Sequence, residues 1–445
     1  MFDLQLTTAA ITAIIALLIM VIKLRVPAFI ALLLSCLLLG LTTGMQTQDI
    51  INSIKNGMGG TLGFVAVVVG LGAILGQILE ASGGIEQIAK VLMNKFGEKN
   101  IQWSLGFTGF LVAIPVFFDV AFIILAPLLY GLANKSGRSL LYYAVPLLAG
   151  LAVTHAFIPP TPGPIAVAEI IGANLGWVII FGAAAGIPSM IIAGPLFARY
   201  IAKRIHVAVP TAHQTDNEQP AQTLSFNLVI SLVLLPLVLI MLGTLAPFLF
   251  AKDTQLYNTA QFIGHPFVAL SLTTVLAMWA SAKYCQFNKS QLLNLANKAL
   301  EPAGIIILIT GAGGAFKQIL IDSGVGQMLG NSMADSAMPL VLLAFLIAAI
   351  TRVAQGSSTV AMITAAGLMA PILQLQTLTP AYLGLLVIAI SSGATIMSHV
   401  NDSGFWLVSR YLGINETDTL KSWTVLTCLI ALVGLACCLI ISAFL

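Results

Sequence analysis

The sequence predicts an all-α polytopic membrane protein, built as two inverted repeats of five transmembrane helices plus one re-entrant hairpin each, with broken helices at the midplane. Three observations predict it: a severe shortage of charge, long apolar runs interrupted at matching places, and a one-sided distribution of lysine and arginine. Of the 445 residues, 59% are hydrophobic and only 8% charged, whereas soluble globular domains carry about 25% charged residues. Too little polar surface is left to face water, so lipid must cover most of the exterior. The net charge of +3 gives no reason to expect a nucleic-acid partner. Cys36, Cys285, Cys428, Cys437 and Cys438 all sit in apolar runs, with no CxxC and no Cys/His cluster. Neither a disulfide framework nor a metal site is expected, and no cofactor.

The first apolar run follows Asp3 and ends at Lys23 and Arg25. A cleavable signal peptide needs its basic residues ahead of the apolar stretch, so this run reads as a first transmembrane helix. Crossing the hydrocarbon core takes about 20 apolar residues. The uninterrupted candidates are 5–22, 27–44, 61–80, 177–198, 224–250, 263–282, 302–320 and 423–443. Four further runs are interrupted: 104–131 by Pro115 and Asp119, 140–172 by His155 and PPTPGP, 340–372 by Arg352 and QGSST, and 381–410 by SHVNDSG. Residues 205–223 read as a solvated, cytoplasmic linker. It separates a first repeat (1–204) from a second (224–445).

Cytoplasmic loops are enriched in lysine and arginine, and that rule discriminates between topologies. If 104–131 and 340–372 enter and leave on one side, and the N-terminus lies outside, 15 basic residues fall inside and 3 outside; if both cross once, the split is 9 and 9. The hairpin topology follows, with ten crossings, five per half, and both termini periplasmic. An odd number per half inverts the second half relative to the first. Residues 70–88 align without gaps on 311–329, with seven identities in 19 positions. Each half then continues in the same order: apolar hairpin with a polar tip, broken helix with a histidine at the break, terminal helix. His155 and His399 correspond.

Unpaired backbone groups are not tolerated in lipid, so broken helices survive where they line a protein cavity. Half-helix N-termini there can hold an anion. The polar residues at the four interruptions are therefore the candidate site. The first tip, PVFFDVAF, carries Asp119, either a cap for the returning helix or a group that handles a proton or substrate hydroxyl. The first break brings His155 and Thr161. In the second tip, Arg352 offers a bidentate fork for a carboxylate beside Ser357, Ser358 and Thr359; the alternative is a pair with Asp402 or Asp119. The second break carries His399, Asn401, Asp402 and Ser403. GAGGAF (311–316) follows no strand and is not a nucleotide loop; its small residues, like GMGG (57–60), fit close helix packing. No catalytic motif is present, and an enzyme is not expected.

Several strings are specific: GMGGTLGFVAVVVGLGAILG (57–76), PVFFDVAFIILAP (115–127), GAGGAFKQIL (311–320), DSGVG (322–326), RVAQGSSTVA (352–361), SHVNDSGFW (398–406) and LKSWTVL (420–426). With these the chain resembles the gluconate permease family, proton-coupled sugar-acid symporters of bacterial inner membranes. Asp119 stands where many members carry glutamate, and Thr161 where they carry a basic or polar residue. The resemblance implies a secondary transporter importing gluconate or a close aldonate with protons, with D-serine-like substrates or sodium coupling as the alternatives. Arg352 and Ser357–Thr359 are then expected to hold the carboxylate, and Asn401, Asp402 and Thr161 the hydroxyls. Asp119, His155, His399 and Asp402 are the candidates for proton coupling. The expected partners are the sugar acid, protons and the lipid bilayer, and a homodimer is left open.

Overall fold

The computed structural model describes residues 2–210, 223–252, 254–325, 328 and 338–445, and every regular element among them is a helix. Most of the linker expected at 205–223 lies outside the described residues. Eight helical stretches there are long and apolar enough to cross a membrane. Apolar side chains point outward along them: Leu272, Val275, Leu276 and Trp279 are exposed on one helix, as Ile11, Ile15 and Ile19 are on the first. Such faces suit lipid and not water. The chain is a multi-pass membrane protein.

The first part of the chain runs through α1 (Phe2–Ile22), α2 (Ala28–Thr42), α3 (Thr47–Ala81), α4 (Gly84–Phe96), α5 (Ile101–Val112), α6 (Phe118–Ser136), α7 (Leu141–Phe157), α8 (Pro162–Ile171), α9 (Leu175–Ile191) and α10 (Phe197–Arg204). The second runs through α11 (Phe226–Leu249), α12 (Gln255–Ile263), α13 (Pro266–Tyr284), α14 (Lys289–Asp322), α15 (Leu340–Gln355), α16 (Ser358–Gln374), α17 (Pro380–Thr395), α18 (Ser403–Leu412) and α19 (Val425–Ser442). A π-helical turn joins α9 to α10 at Ile192–Leu196, where Pro195 supplies no N–H,. Another, Leu420–Thr424, leads into α19.

α3 and α14 are 35 and 34 residues long, far beyond the apolar windows 61–80 and 302–320 read from the sequence. Hydropathy detects only the part that lipid covers. The polar leading turns continue as helix for local reasons: α14 opens with a reciprocal capping box between Asn288 and Gln291,. The amphipathic α4, which buries Ile85, Ile88, Ala89 and Leu92, escaped for the same reason. α3 and α14 pack together more extensively than any other pair. Gly57 and Gly314 meet at that seam, where a Cβ on either would run into the other's carbonyl oxygen. Small residues let the two backbones touch.

All four sequence interruptions are breaks between helices. Residues 113–117 separate α5 from α6, and Gly356 and Ser357 separate α15 from α16. Residues 158–161 divide α7 from α8, with Pro162 at the first helical position,. Residues 396–402 divide α17 from α18, which Asp402 caps. Gly356 ends α15 at φ +80°, a left-handed conformation that glycine adopts without cost.

Candidate functional site

A cavity of about 360 Å³ lies where these breaks converge, within the range of small-molecule sites. Three helices begin at its wall. α6 presents Phe118, Asp119 and Val120; α16 presents Ser358 and Thr359 behind Ser357; α18 presents Ser403 and Gly404 behind Asp402. Each start leaves backbone N–H groups without intrahelical partners and carries the positive end of a helix dipole. α7 adds His155, and α15 adds Arg352.

The electrostatic centre is Arg352, whose side chain is only 4% exposed. Its Nη2 donates to Asp402 Oδ2 at 2.5 Å. Ser398 Oγ donates to the same oxygen, and Asp402 Oδ1 accepts from the Gly404 N–H at 3.2 Å. Asp402 is thus engaged on both oxygens: it neutralises the arginine and caps α18. Arg352 is not satisfied in return. Its Nε and Nη1 are buried without hydrogen-bond partners, and a buried unpaired donor is costly. Such donors are accounted for when something in the cavity accepts from them.

Asp119 differs from Asp402. It faces the cavity with no hydrogen-bond partner among the described residues. Nearby, His155 packs edge-on against Phe117 with ring centroids 6.4 Å apart, and its Nδ1 is buried without a partner. The cavity therefore pairs an arginine with unfilled donors with a carboxylate and an imidazole that have no hydrogen-bond partner among the described residues. It can take an anion at the arginine and a proton at the carboxylate.

Asp119, His155, Arg352, Ser357, Ser358, Thr359 and Asp402 come together on the cavity wall. Three other candidates stand elsewhere. Thr161 stands buried just ahead of α8 without capping it, its hydroxyl donating instead to the Ile158 carbonyl at 2.6 Å. Asn401 donates to the Val353 carbonyl at 3.1 Å and packs on Gly356, pinning the second tip to the second break. His399 Nδ1 contacts its neighbouring Met397 carbonyl at 2.9 Å. Sequence reasoning missed Trp423 and Ser398. Trp423 packs on Phe118 with centroids 5.3 Å apart, and its indole N–H donates to Ser398 Oγ at 2.7 Å. Its only sequence signal was its place in LKSWTVL, since the partners lie 25 residues apart.

The sequence profile described as GntP family permease matches residues 4–444. The chain belongs to this permease family. Among curated relatives, the permease is 39% identical over 434 residues to the "Low-affinity gluconate transporter" of Escherichia coli (strain K12), covering 98% of this chain and 97% of the relative. It is 39% identical over 444 residues to the "Gluconate permease" of Pseudomonas aeruginosa, covering 99% and 98%. A third, the "Gnt-II system L-idonate transporter" of Escherichia coli (strain K12), is 38% identical and covers 96% and 97%. Among solved structures, the permease shares its fold with the YdaH transporter of Alcanivorax borkumensis, at TM-score 0.64 and 15% identity over 90% of each chain. MtrF of Neisseria gonorrhoeae gives TM-score 0.64 and 17% identity, covering 88% of this chain and 84% of its own. The permease is a membrane transport protein and not an enzyme.

Proposed function

We propose that the permease imports gluconate or a closely related aldonate across the bacterial inner membrane by proton symport. The observation that carries this reading is the pair of unpaired, buried donors on Arg352, Nε and Nη1, beside the cavity. A sugar-acid carboxylate would accept from that fork with the bidentate geometry guanidinium favours. The starts of α16 and α18, with Ser357, Ser358 and Thr359, add donors for the carboxylate and the nearest hydroxyls. Relatives named for gluconate and L-idonate support the substrate class.

Asp119 is the proposed proton carrier, with His155 beside it. Asp402 is already held by Arg352, Ser398 and the Gly404 N–H, so its role is to orient the arginine. Thr161, Asn401 and His399 hold the breaks in shape around the cavity. The proposed topology has two inverted repeats, 1–204 and 224–445, joined by a cytoplasmic linker, with hairpins at α5–α6 and α15–α16. The recurring order of hairpin, broken helix and π-interrupted last helix supports it, as does the asymmetry of basic residues.

The decisive experiment is uptake of labelled gluconate into membrane vesicles, competed by a panel of aldonates, uronates and D-serine, with and without an imposed pH gradient. Aldonates should compete best, and an inwardly directed proton gradient should drive accumulation. Accumulation indifferent to the gradient would remove proton symport. Absence of labelled gluconate uptake, or better competition by D-serine than by any aldonate, would remove the substrate.

A further inference from the structure

Trp423 lies in the π-helical turn Leu420–Thr424 and is 5% exposed, yet it reaches both hairpin tips. Its ring stands against Phe118, the residue next to Asp119 in the first tip. Its indole N–H donates to Ser398 Oγ at 2.7 Å; Ser398 donates to Asp402, and Asp402 accepts from Arg352 of the second tip. Ser398 is fixed from other sides as well. Its backbone N–H donates to Thr427 Oγ1 at 3.1 Å, and Thr424 Oγ1 donates to its carbonyl. The serine hydroxyl carries a single proton. With the indole N–H occupying its acceptor side, that proton is directed to Asp402.

We propose that Trp423 is a positioning residue for substrate binding: acting through Ser398 and Asp402, it sets the orientation of Arg352, and Phe118 of the first tip holds the indole in the plane that makes this work. The proposal rests on the reading that Arg352 receives the substrate carboxylate. A π turn is a strained insertion in a helix and recurs at functional sites. Here it rotates Trp423 to the cavity wall, which the indole lines together with Arg352 and Asp402. A buried tryptophan generally finds some acceptor for its N–H, so a purely structural role makes a different prediction. It would lower the amount of folded protein without acting through the arginine.

The test is a double-mutant cycle on gluconate uptake in vesicles. Trp423→Phe keeps the ring against Phe118 and removes the N–H. It should raise KM about five- to ten-fold, the worth of one hydrogen bond, with maximal rate per folded transporter within about two-fold. Ser398→Ala should behave alike, and the double variant should be no worse than either single one. In an Arg352→Lys background, Trp423→Phe should change KM no further, since no fork remains to orient. An unchanged KM in Trp423→Phe overturns the proposal, and so does a full additional loss in the Arg352→Lys background. Should Trp423→Phe fail to reach the membrane, Ser398→Ala carries the same cycle, since it leaves the ring packing intact. An unchanged KM in Arg352→Lys alone identifies failure of the underlying reading instead.

Discussion

Arg352 reaches Asp402 through Nη2 alone, and its remaining donors, Nε and Nη1, are buried without partners in a residue that lines the cavity. Replacement by lysine keeps the charge and loses the fork. Loss of a charge-assisted hydrogen bond costs about 1.5–3 kcal/mol, so Arg352→Lys should weaken gluconate binding roughly ten- to a hundred-fold, read as KM in vesicles or by calorimetry on purified protein. Asp119→Asn tests the other charge. An amide cannot carry the proton, so the variant should exchange labelled for unlabelled substrate across the membrane yet fail to concentrate it under an imposed pH gradient. Retained accumulation would move the proton to His155. These charged residues were legible in the sequence because each is isolated in an apolar run. Asn401, expected from the sequence to bind a hydroxyl, donates in this structure to the Val353 carbonyl. A polar residue at a break can serve the backbone as readily as a ligand, and sequence does not separate the two. Ser398 and Trp423 stayed hidden because their value lies in meeting each other across a fold.

At the scale of the element, the breaks were legible and the helix ends were not. Proline, glycine and clustered polar residues inside an apolar run leave no other economical conformation, and all four interruptions fall between helices. The polar leading turns of α3 and α14 have no such marker in hydropathy. Gly356 shows how tightly a tip is drawn. It holds φ +80°, and a Cβ there would strike the backbone and side chain of Asn401, whereas Gly137 at φ +66° has open space around it. Gly137→Ala, at the left-handed end of α6, should therefore lose only the left-handed backbone penalty, about 1–2 kcal/mol. Gly356→Ala should lose more and displace Arg352's tip. The expected outcome is a larger fall in thermal unfolding midpoint in detergent for Gly356→Ala than for Gly137→Ala, with uptake lost only in the former. Equal falls would mean that Asn401 yields without cost.

For the whole molecule, the proposed orientation in the membrane rests on the 15-to-3 bias in basic residues that the hairpin topology gives. In a cysteine-free background, Ala208→Cys, just beyond α10, should resist an impermeant maleimide on intact cells, while Leu445→Cys should react. Labelling of position 208 from outside would invalidate the hairpin count and the inverted repeat with it. The seam of α3 and α14 has a consequence of another kind. By helical rise, their 35 and 34 residues extend to about 50 Å, while the hydrocarbon core is about 30 Å thick. To lie wholly inside, they would have to lean roughly fifty degrees from the bilayer normal, beyond the usual range of up to about 40°. Part of each must leave the hydrocarbon core for the polar headgroup layer. Two rods in backbone contact at Gly57 and Gly314 thus reach past the hydrocarbon together, and their polar leading turns can carry charge without the cost of burying it in lipid.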